Sequence, residues 1–374
     1  MRIGVDARPL AGIRTGVASY LFSLLNTAYI REGGHHWCLY SHRRLSNDLG
    51  LSVRMLPRDG WKGKNIWMPG SLWLSSMLPW LVRRDSVEVF WGTSGVLPPA
   101  LPRRMKTVLT VHDLVWHFFP DTMSQYNKLV SVVFARWSAQ KANLIIAPSV
   151  ATSEGLKQVL GVPQSKIRIV PEGVGGQFTP KDRDVARKLI ADKYNVSGPY
   201  ILAVGTVEPR KNIARLIEAF ALFSRECKGQ YHLLVAGSSG WKTWATRASV
   251  ERCQVKDRIH FLGWVDSEDL PWLYSGAELF VFPSLYEGFG LPVVEAMACG
   301  CPVVVSNCSS LPEVAGEVGI SVDPLDPCSI SKGMAVAIED RENLASLSIR
   351  HASKFSWEAA AVETVRAIEE VCRL

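Results

Sequence analysis

Residues 287–295 read Glu287-Gly-Phe-Gly-Leu-Pro-Val-Val-Glu295 and connect a strand-like segment to a helix-like one. The preceding segment Leu279–Phe282 is short and wholly apolar, which is typical of a strand buried on both faces of a sheet. Pro292 suits the first turn of a helix, and Gly300 suits the position just after its end. A strand, a glycine-rich loop and a helix in this order indicate a parallel α/β sheet whose loop can approach a phosphate.

The alternation of apolar and amphipathic segments continues along all 374 residues. This length suits two domains of ~150–200 residues, so we predict an α/β fold of two doubly wound domains. Ligands of such sheets bind beyond the carboxyl ends of the strands, and we expect the two domains to face each other across a cleft. The predicted strands are Arg2–Val5, Trp37–Tyr40, Glu88–Trp91, Thr107–Val111, Leu144–Ala147, Ile167–Val170, Tyr200–Gly205, Leu233–Ala236, Ile259–Phe261, Leu279–Phe282, Pro302–Ser306 and Gly319–Val322.

A stretch rich in glycine and proline, Pro171–Pro180, marks the predicted domain border. We expect an N-terminal domain over 1–172, a linker over 173–198, a C-terminal domain over 199–355, and a last helix over 356–374 that packs back on the N-terminal domain. The predicted helices are Val17–Tyr29, a helix that begins after the N-cap Ser149 and ends at about Leu160, Asp182–Tyr194, Ile213–Arg225, Trp244–Gln254, Asp266–Ser275, Leu291–Cys299 and Trp357–Val371.

A second polar segment, Gly205-Thr-Val-Glu-Pro-Arg-Lys-Asn212, follows the first strand of the second half. Arg210 and Lys211 therefore lie at a strand-to-helix turn, and Asn212 suits the N-cap of the helix beyond. A guanidinium and an ammonium can stabilise the charge that develops on a diphosphate leaving group without a metal ion. The alternative is that both are solvated loop cations, just as Glu287 and Glu295 could be ordinary surface acids.

These segments together resemble the retaining glycosyltransferase family 4. The resemblance rests on residues 287–295, the Glu-Pro-Arg-Lys-Asn turn, Phe261-Leu-Gly-Trp-Val265 and Cys299-Gly-Cys-Pro-Val-Val. It runs nearly end to end, to Phe355-Ser-Trp-Glu358, and is strongest over residues 200–323. The family has the GT-B architecture of two Rossmann-like domains, so the resemblance implies this fold.

The resemblance also implies residue roles. Arg210 and Lys211 would bind the donor diphosphate, Glu287 would hold hydroxyls of the transferred sugar, and Glu295 would hold the ribose hydroxyls. His112, at the end of a predicted strand, would contact the transferred sugar, although a histidine on an apolar strand is more often a core residue. The further donor-binding positions are the backbone at Phe289, Gly290 and Leu291, the loop at Gly263 and Trp264 beside the base, and Gly12 and Gly16 near the diphosphate.

The charge is divided unevenly along the chain. Up to Glu172 there are 21 Lys/Arg against 10 Asp/Glu, and beyond it 21 against 25. A basic half attracts nucleic acid, anionic lipid or a phosphorylated substrate equally well. The segment 54–84 carries six cations, and its uncharged part contains Trp67, Trp73 and Trp80. Two interpretations stay open here: peripheral contact with an anionic membrane, or an ordinary helix packed on a sheet.

Other classes of site are disfavoured by the sequence. The eight cysteines form no CxxC pair, so we expect reduced thiols. Asp6 and Arg8 lie where a signal peptide needs an apolar stretch, so we expect a cytoplasmic protein. The only Asp-x-Asp, at residues 182–184, is interpreted as helix-start charge. We therefore expect no bound metal and no cofactor, with a nucleotide sugar as the donor substrate.

The predicted function is transfer of a hexose to a glycan or polyprenyl-diphosphate-linked acceptor in bacterial surface polysaccharide synthesis. Asp-Ala-Arg-Pro-Leu at the start and His112-Asp-Leu resemble the mannosyltransferase branch, which implies GDP-mannose as donor, then a GDP-deoxyhexose such as GDP-rhamnose, then UDP-sugars. The alternatives are an epimerase or phosphorylase on the same architecture, and a nucleic-acid-binding protein. Nucleic acid is not expected as a partner, because no basic-aromatic recognition module is present.

Overall fold

The structure is a computed structural model that describes residues 1–11, 16–43, 45, 70–122, 134–227 and 230–373. The described residues divide into two compact units. The first unit takes its residues from Met1–His117, Met123–Gly173 and Trp357–Leu374, and the second takes its residues from Phe118–Thr122 and Val174–Ser356. The resemblance to the family also implies that the domain over 1–172 binds the acceptor and that the domain over 199–355 binds the nucleotide-sugar donor, and this assignment stays a prediction.

The first unit is built on a parallel six-stranded sheet of order β2-β1-β3-β4-β5-β6. Its strands are β1 (Arg2–Asp6), β2 (His36–Tyr40), β3 (Val89–Gly92), β4 (Lys106–Thr110), β5 (Leu144–Ala147) and β6 (Ile167–Ile169). Its helices are α1 (Gly16–Leu25), α2 (Ala28–Glu32), α3 (Gly70–Leu72), α4 (Leu78–Arg84), α5 (Val115–Phe118), α6 (134–141), α7 (Val150–Leu160) and the C-terminal helix Trp357–Arg373.

The second unit is a parallel six-stranded sheet of order β12-β11-β10-β7-β8-β9. Its strands are β7 (Tyr200–Val204), β8 (His232–Ala236), β9 (Ile259–Gly263), β10 (Leu279–Phe282), β11 (Val303–Ser306) and β12 (Ile320–Val322). Its helices are α8 (Arg183–Tyr194), α9 (Ile213–Glu226), α10 (Trp244–Arg252), α11 (Leu270–Gly276), α12 (Leu291–Ala298), α13 (Leu311–Ala315), α14 (Pro327–Glu339) and α15 (Arg341–Ala352), and the C-terminal helix is therefore α16.

Both sheets are covered by helices because their central strands are apolar on both faces. In β7, Leu202 belongs to one buried cluster with Phe280 of β10, while its neighbour Ile201 belongs to a second cluster with Leu279. Each face is thus a separate hydrophobic core, as parallel sheets require. The predicted α/β class with two doubly wound parallel sheets is confirmed.

One predicted helix is wrong in its length. The apolar spacing of Val17–Tyr29 predicted a single helix, but the structure has α1 and α2 with a break at Thr27. The Thr27 side chain accepts a hydrogen bond from Ile30 N and so begins a new helix. The carboxylate of Glu358 on α16 accepts from Ala28 N at 2.9 Å and caps the same end. This partner lies 330 residues away in sequence and leaves no local signal.

Other helix starts follow local capping chemistry. Ser149 accepts from Thr152 N at 3.0 Å and begins α7, as predicted. Asp182 accepts from the amides of Asp184 and Val185 and begins α8, which agrees with helix-start charge. Helix α11 begins at Leu270 rather than at the predicted Asp266. Pro271 there supplies the pre-formed dihedral angle of a first turn.

The basic, Trp-rich segment is described only from residue 70 onward, so Trp67 lies outside the described residues. Trp73 is buried, as ordinary packing predicts. Trp80 is 56% exposed, and the guanidinium carbon of Arg84 lies 5.2 Å from its ring centroid. In the part of the chain that the structure describes, no helix is both long enough and apolar enough to cross a bilayer.

Candidate active site

The candidate site of the second unit lies where the strand order reverses. β7 is flanked by β8 on one side and by β10 on the other, so the chain after β7 and the chain after β10 leave the sheet side by side. Ligands of open α/β sheets bind at such a switch point, outside the carboxyl ends of the strands. Arg210 and Lys211 follow β7, and Glu287 follows β10.

The structure brings these three charged side chains together. Lys211 Nζ lies 2.6 Å from Oε1 of Glu287, and Arg210 Nη1 lies 2.8 Å from Oε2 of the same carboxylate. Arg210 Nη1 also donates to the carbonyl of Tyr286 at 2.8 Å. The Lys211 ammonium lies 4.5 Å from the ring centroid of Phe282, which adds a cation–π contact. Each carboxylate oxygen of Glu287 is therefore held by one cation.

The electrostatics of this cluster follow from its burial. Burial alone would raise the pKa of Glu287, but Lys211 and Arg210 outweigh it and lower that pKa to about 2. Burial lowers the pKa of Lys211, with Glu287 opposing and Arg210 reinforcing the shift. Glu287 is thus a carboxylate at any ordinary pH and serves as a hydrogen-bond acceptor rather than as an acid.

Glu208 is a site residue that the sequence reasoning missed. Its side chain is 7% exposed, and its Oε1 accepts from Arg210 Nη2 at 2.7 Å and from Arg210 Nε at 3.1 Å. Glu208 thus contacts Nη2 and Nε of the guanidinium, while Nη1 contacts Glu287. The sequence signal was present in the Glu-Pro-Arg-Lys-Asn turn, since an acid two residues before an arginine can fold back onto it.

Asn212 lies at the N-cap position of α9, as predicted, but its side chain does not cap the helix. Its φ of 60° is left-handed, a conformation that asparagine tolerates better than most residues. The side-chain amide instead donates to the carbonyls of Pro283 at 3.0 Å and Pro324 at 2.7 Å. Asn212 thereby ties the turn after β7 to the loops after β10 and β12.

Serines of the loop after β11 hold the backbone of the glycine-rich segment. Ser309 Oγ accepts from Glu287 N at 3.0 Å. Ser310 Oγ lies 3.0 Å from the carbonyl of Glu287 and 2.7 Å from that of Phe289. Gly290 has a φ of 116° and immediately precedes α12, which Leu291 begins. The loop thus reaches the helix N-terminus through a conformation that favours glycine.

Glu295 lies in α12 and Tyr274 in α11. Oε2 of Glu295 accepts from the Tyr274 hydroxyl at 3.1 Å. Tyr274 is fully buried, so the hydroxyl is a fixed donor for this carboxylate. Sequence reasoning singled out Glu295 but missed Tyr274, because a tyrosine in an apolar helix gives the signal of a core residue only.

Glycines with positive φ end three adjacent strands at the same edge: Gly205 after β7, Gly237 after β8 and Gly263 in β9. A Cβ atom at Gly237 would lie 2.1 Å from the carbonyl oxygen of Gly205, so no side chain fits there. Trp264 follows Gly263 and is 58% exposed. The three glycines thus contribute no side chains of their own to this edge, and an exposed indole lies beside it.

His112 and Gly16 lie in the first unit. His112 follows β4 in a buried environment, with Nε2 2.9 Å from the carbonyl of Thr93 and Nδ1 3.3 Å from Oε1 of Glu172. Gly16 is the first residue of α1, and a Cβ atom there would meet nothing within 4 Å. Gly12 lies outside the described residues.

Metal binding was also assessed from the side chains. In the described ranges, no three His, Cys, Asp or Glu side chains lie together in an arrangement that could hold a metal ion. Independence of a metal stays a prediction.

Comparison with known proteins agrees with this fold. A sequence profile of the glycosyl transferases group 1 matches residues 187–353, and a profile of glycosyltransferase family 4 matches residues 16–175. Sucrose-phosphate synthase from Thermosynechococcus elongatus has a similar structure, with a TM-score of 0.74 at 20% identity over 99% of this chain and 98% of that chain. The fold is thus that of the GT-B glycosyltransferases, as predicted.

Several of the curated relatives are mannosyltransferases by name. O-antigen chain mannosyltransferase B of Escherichia coli is 34% identical over 293 residues, which cover 77% of this chain and 76% of that protein. The serotype-specific mannosyltransferase WbdA of Escherichia coli is 31% identical over 72% of this chain. The matched region spans 34% of the length of WbdA. The chain belongs to glycosyltransferase family 4 and is similar to bacterial O-antigen mannosyltransferases.

Proposed function

We propose that the protein is a retaining hexosyltransferase that moves mannose from GDP-mannose to a glycan or polyprenyl-diphosphate-linked acceptor in surface polysaccharide synthesis. The observation that carries the proposal is the buried cluster of Arg210, Lys211 and Glu287 at the switch point of the second sheet. The names of the curated relatives support mannose as the transferred sugar. A GDP-deoxyhexose such as GDP-rhamnose is the next candidate donor.

Arg210 and Lys211 are the proposed diphosphate-binding residues. With Glu208 and Glu287 as partners, the cluster holds two cations and two carboxylates before a donor binds. A diphosphate adds negative charge that these cations can neutralise, and more charge develops as the bond to the sugar breaks. The proposal therefore assigns the largest catalytic effect to the two cations.

The other proposed donor contacts are those that the resemblance to the family implies. Glu295 would accept hydrogen bonds from the ribose hydroxyls, and Gly263 with Trp264 would flank the base. The backbone at Phe289, Gly290 and Leu291 would contact phosphate or sugar at the start of α12. Gly16 and Gly12 would lie near the diphosphate, and His112 would contact the transferred sugar.

The proposed mechanism retains configuration without a covalent intermediate. Glu287 is a poor nucleophile, because both of its oxygens are held by cations and its pKa is lowered to about 2. We assign it instead to hydroxyls of the transferred sugar. The acceptor then attacks from the face that the diphosphate leaves, through an oxocarbenium-like state, and a departing phosphate oxygen takes the acceptor proton.

Replacing the cations tests the proposed reaction. We expect Arg210→Ala or Lys211→Ala to lower kcat by about 100- to 1,000-fold, because each removes a donor to the developing charge. Arg210→Lys should recover little activity, since an ammonium does not reproduce the forked contacts of a guanidinium. Circular dichroism checks folding, and Arg225→Ala, on the exposed end of α9, is the matched control. Near-normal turnover in a folded Arg210→Ala and Lys211→Ala pair would refute the assignment.

The donor is tested by thermal unfolding with a panel of GDP-mannose, GDP-rhamnose, GDP, UDP-glucose and UDP. A ligand that binds only the folded state raises the Tm, by an amount that grows with its concentration relative to Kd. We expect GDP and GDP-sugars to raise the Tm and the uridine compounds to leave it unchanged. Stabilisation by UDP-glucose alone would contradict GDP as the donor nucleotide, but the protein would still be a glycosyltransferase.

The proposal also places the protein in the cytoplasm, at the membrane face that presents the acceptor.

A further inference from the structure

Two buried groups and the half-buried His112 meet at the carboxyl edge of the sheet in the first unit. Thr93 follows β3, His112 follows β4, and Glu172 lies beyond the end of β6. Thr93 is fully buried and Glu172 is 5% exposed. Of these, the sequence analysis singled out only His112, and the proposed function gives Glu172 no role.

Both ring nitrogens of His112 face hydrogen-bond acceptors. Nε2 lies 2.9 Å from the carbonyl oxygen of Thr93, which can only accept. Nδ1 lies 3.3 Å from Oε1 of Glu172, and an ionised carboxylate also only accepts. A neutral imidazole carries one N–H and satisfies one of these partners, whereas an imidazolium satisfies both.

The other groups around the ring are consistent with a cation. Asp113 is the neighbouring acid, and its negative charge favours the protonated ring. Tyr20 of α1 packs edge-to-face on His112 with ring centroids 4.7 Å apart. Burial by itself disfavours the charged ring, but the hydrogen bond and charge of Glu172, the Thr93 carbonyl and Asp113 outweigh it and raise the pKa of His112.

We propose that Glu172 is a positioning residue that keeps the His112 ring an imidazolium, so that His112 donates hydrogen bonds and accepts none. This deepens the proposed function and rests on it for the contact between His112 and the transferred sugar. Glu172 fixes Nδ1–H and hence the ring plane. Nε2–H can then move from the Thr93 carbonyl to a hydroxyl oxygen of the sugar. An imidazolium has no ring nitrogen free to take a proton, so in this state His112 does not act as a general base.

The first test is the protonation of the ring, measured by ¹⁵N NMR of histidine-labelled protein with His112→Asn to assign the signals. We expect the wild-type ring to lose its second N–H proton at a pH above the ordinary histidine value of about 6.5. In Glu172→Gln, the amide can donate to Nδ1, so we expect the ring to lose that proton at a lower pH than in the wild type. Glu172→Asp, which retains a carboxylate, is the matched control for folding.

Two NMR outcomes would overturn the proposal. One is a wild-type ring that loses its second N–H proton at or below the ordinary value of about 6.5, which would mean that Glu172 does not stabilise the imidazolium. The other is an unchanged titration in folded Glu172→Gln. Neither outcome depends on the donor. Near-normal turnover in the Arg210→Ala and Lys211→Ala variants would therefore refute the proposed reaction without changing the NMR result for His112.

The second test is the pH profile of kcat/KM with the preferred donor. If the imidazolium is the active form, activity is lost as pH rises through the His112 pKa. Glu172→Gln lowers that pKa, so we expect the falling limb to move to lower pH by the same interval as the NMR titration. Higher activity of the variant at low pH would indicate that the neutral ring is required and would overturn the inference. A role that is merely structural would lower activity equally at every pH.

Discussion

Glu208 and Arg210 illustrate how a short turn can orient a charge. The turn at residues 209–211 is a single 3-10 turn, and Asn212 follows it in a left-handed conformation. This path brings the Glu208 carboxylate under two nitrogens of the guanidinium. A guanidinium held on one side presents its remaining N–H groups in a fixed direction, which is what transition-state stabilisation requires.

At this scale we predict that Glu208→Gln weakens catalysis without unfolding the protein. The amide oxygen can still accept from Arg210, but the charge assistance is lost. A hydrogen bond to a charged group contributes roughly 1.5–3 kcal/mol, so kcat/KM should fall roughly ten- to hundredfold. Steady-state kinetics measure the effect, and Glu251→Gln in α10 is the control. A drop confined to stability, with kcat/KM unchanged in the folded fraction, would contradict the orienting role.

Sequence reasoning identified the residues of the charged cluster better than the residues that support them. Arg210, Lys211 and Glu287 were identifiable because charged residues after apolar strands must lie at the sheet edge. Their mutual contacts were not predictable, because they depend on which strands are neighbours. Tyr274 gave no functional signal at all, since its hydroxyl is distinguished only by the carboxylate that α12 presents to it.

At the scale of elements, Asn212 joins α9 to two other loops. We predict that Asn212→Ala lowers the free energy of unfolding by about 2–4 kcal/mol. The substitution leaves two buried carbonyls without a donor, at about 1–3 kcal/mol, and places alanine at a φ that costs about 1 kcal/mol or more. Urea unfolding measures the loss. Asn212→Gly separates the two causes, because glycine removes the backbone strain and keeps the unsatisfied carbonyls; a glycine variant as stable as the wild type would refute the role of the amide.

The elements themselves were largely predictable. All twelve predicted strands are present, with ends that differ by one or two residues, since apolar runs bounded by polar turns are a strong local pattern. The predicted helix Val17–Tyr29 was wrong because its break depends on Glu358 of α16. Helices α14 and α15 were not predicted. Capping by a distant chain segment leaves no trace in a local window.

At the scale of the whole molecule, histidines of the two units have pKa values that are shifted in opposite directions. His232 and His260 lie on neighbouring strands β8 and β9, with Nδ1 of one 2.9 Å from Nε2 of the other. Burial lowers the pKa of both, and for His232 the charges of His260 and Arg258 lower it further. His112 in the first unit shows the opposite shift, because Glu172 holds its charge.

We therefore predict that the second unit loses stability in mild acid. Below about pH 6.5 the histidines of the unfolded chain bind protons more readily than the folded His232–His260 pair does. The contribution of the pair to the free energy of unfolding is therefore fully present above that pH and is lost as the pH falls. Urea unfolding at several pH values from about 5 to 7.5 measures the slope. His260→Gln should flatten it. An equal slope in wild type and variant would show that other groups determine the acid response.

The strand order could not be read from the sequence, although the strands could. Twelve parallel strands are compatible with many orders, and the order is fixed by packing between segments far apart in the chain. The cluster at the carboxyl ends of β7 and β10 depends on this order. The roles of its residues were implied by the resemblance to a known family rather than by periodicity, and their mutual contacts were seen only in the structure.

The adjacency of β7 and β10 has an evolutionary consequence. The cations and the carboxylate follow strands that are neighbours in the sheet but are separated in the chain by α9, β8, α10, β9 and α11. This intervening stretch contains Trp264, in the loop after β9, which we propose to flank the base. Mutation, insertion or recombination in that loop can change the surroundings of the indole while β7 and β10 keep the charge cluster in place. Under the proposed function, a lineage can thus acquire new donors by remodelling one loop, without rebuilding the residues proposed to bind the diphosphate.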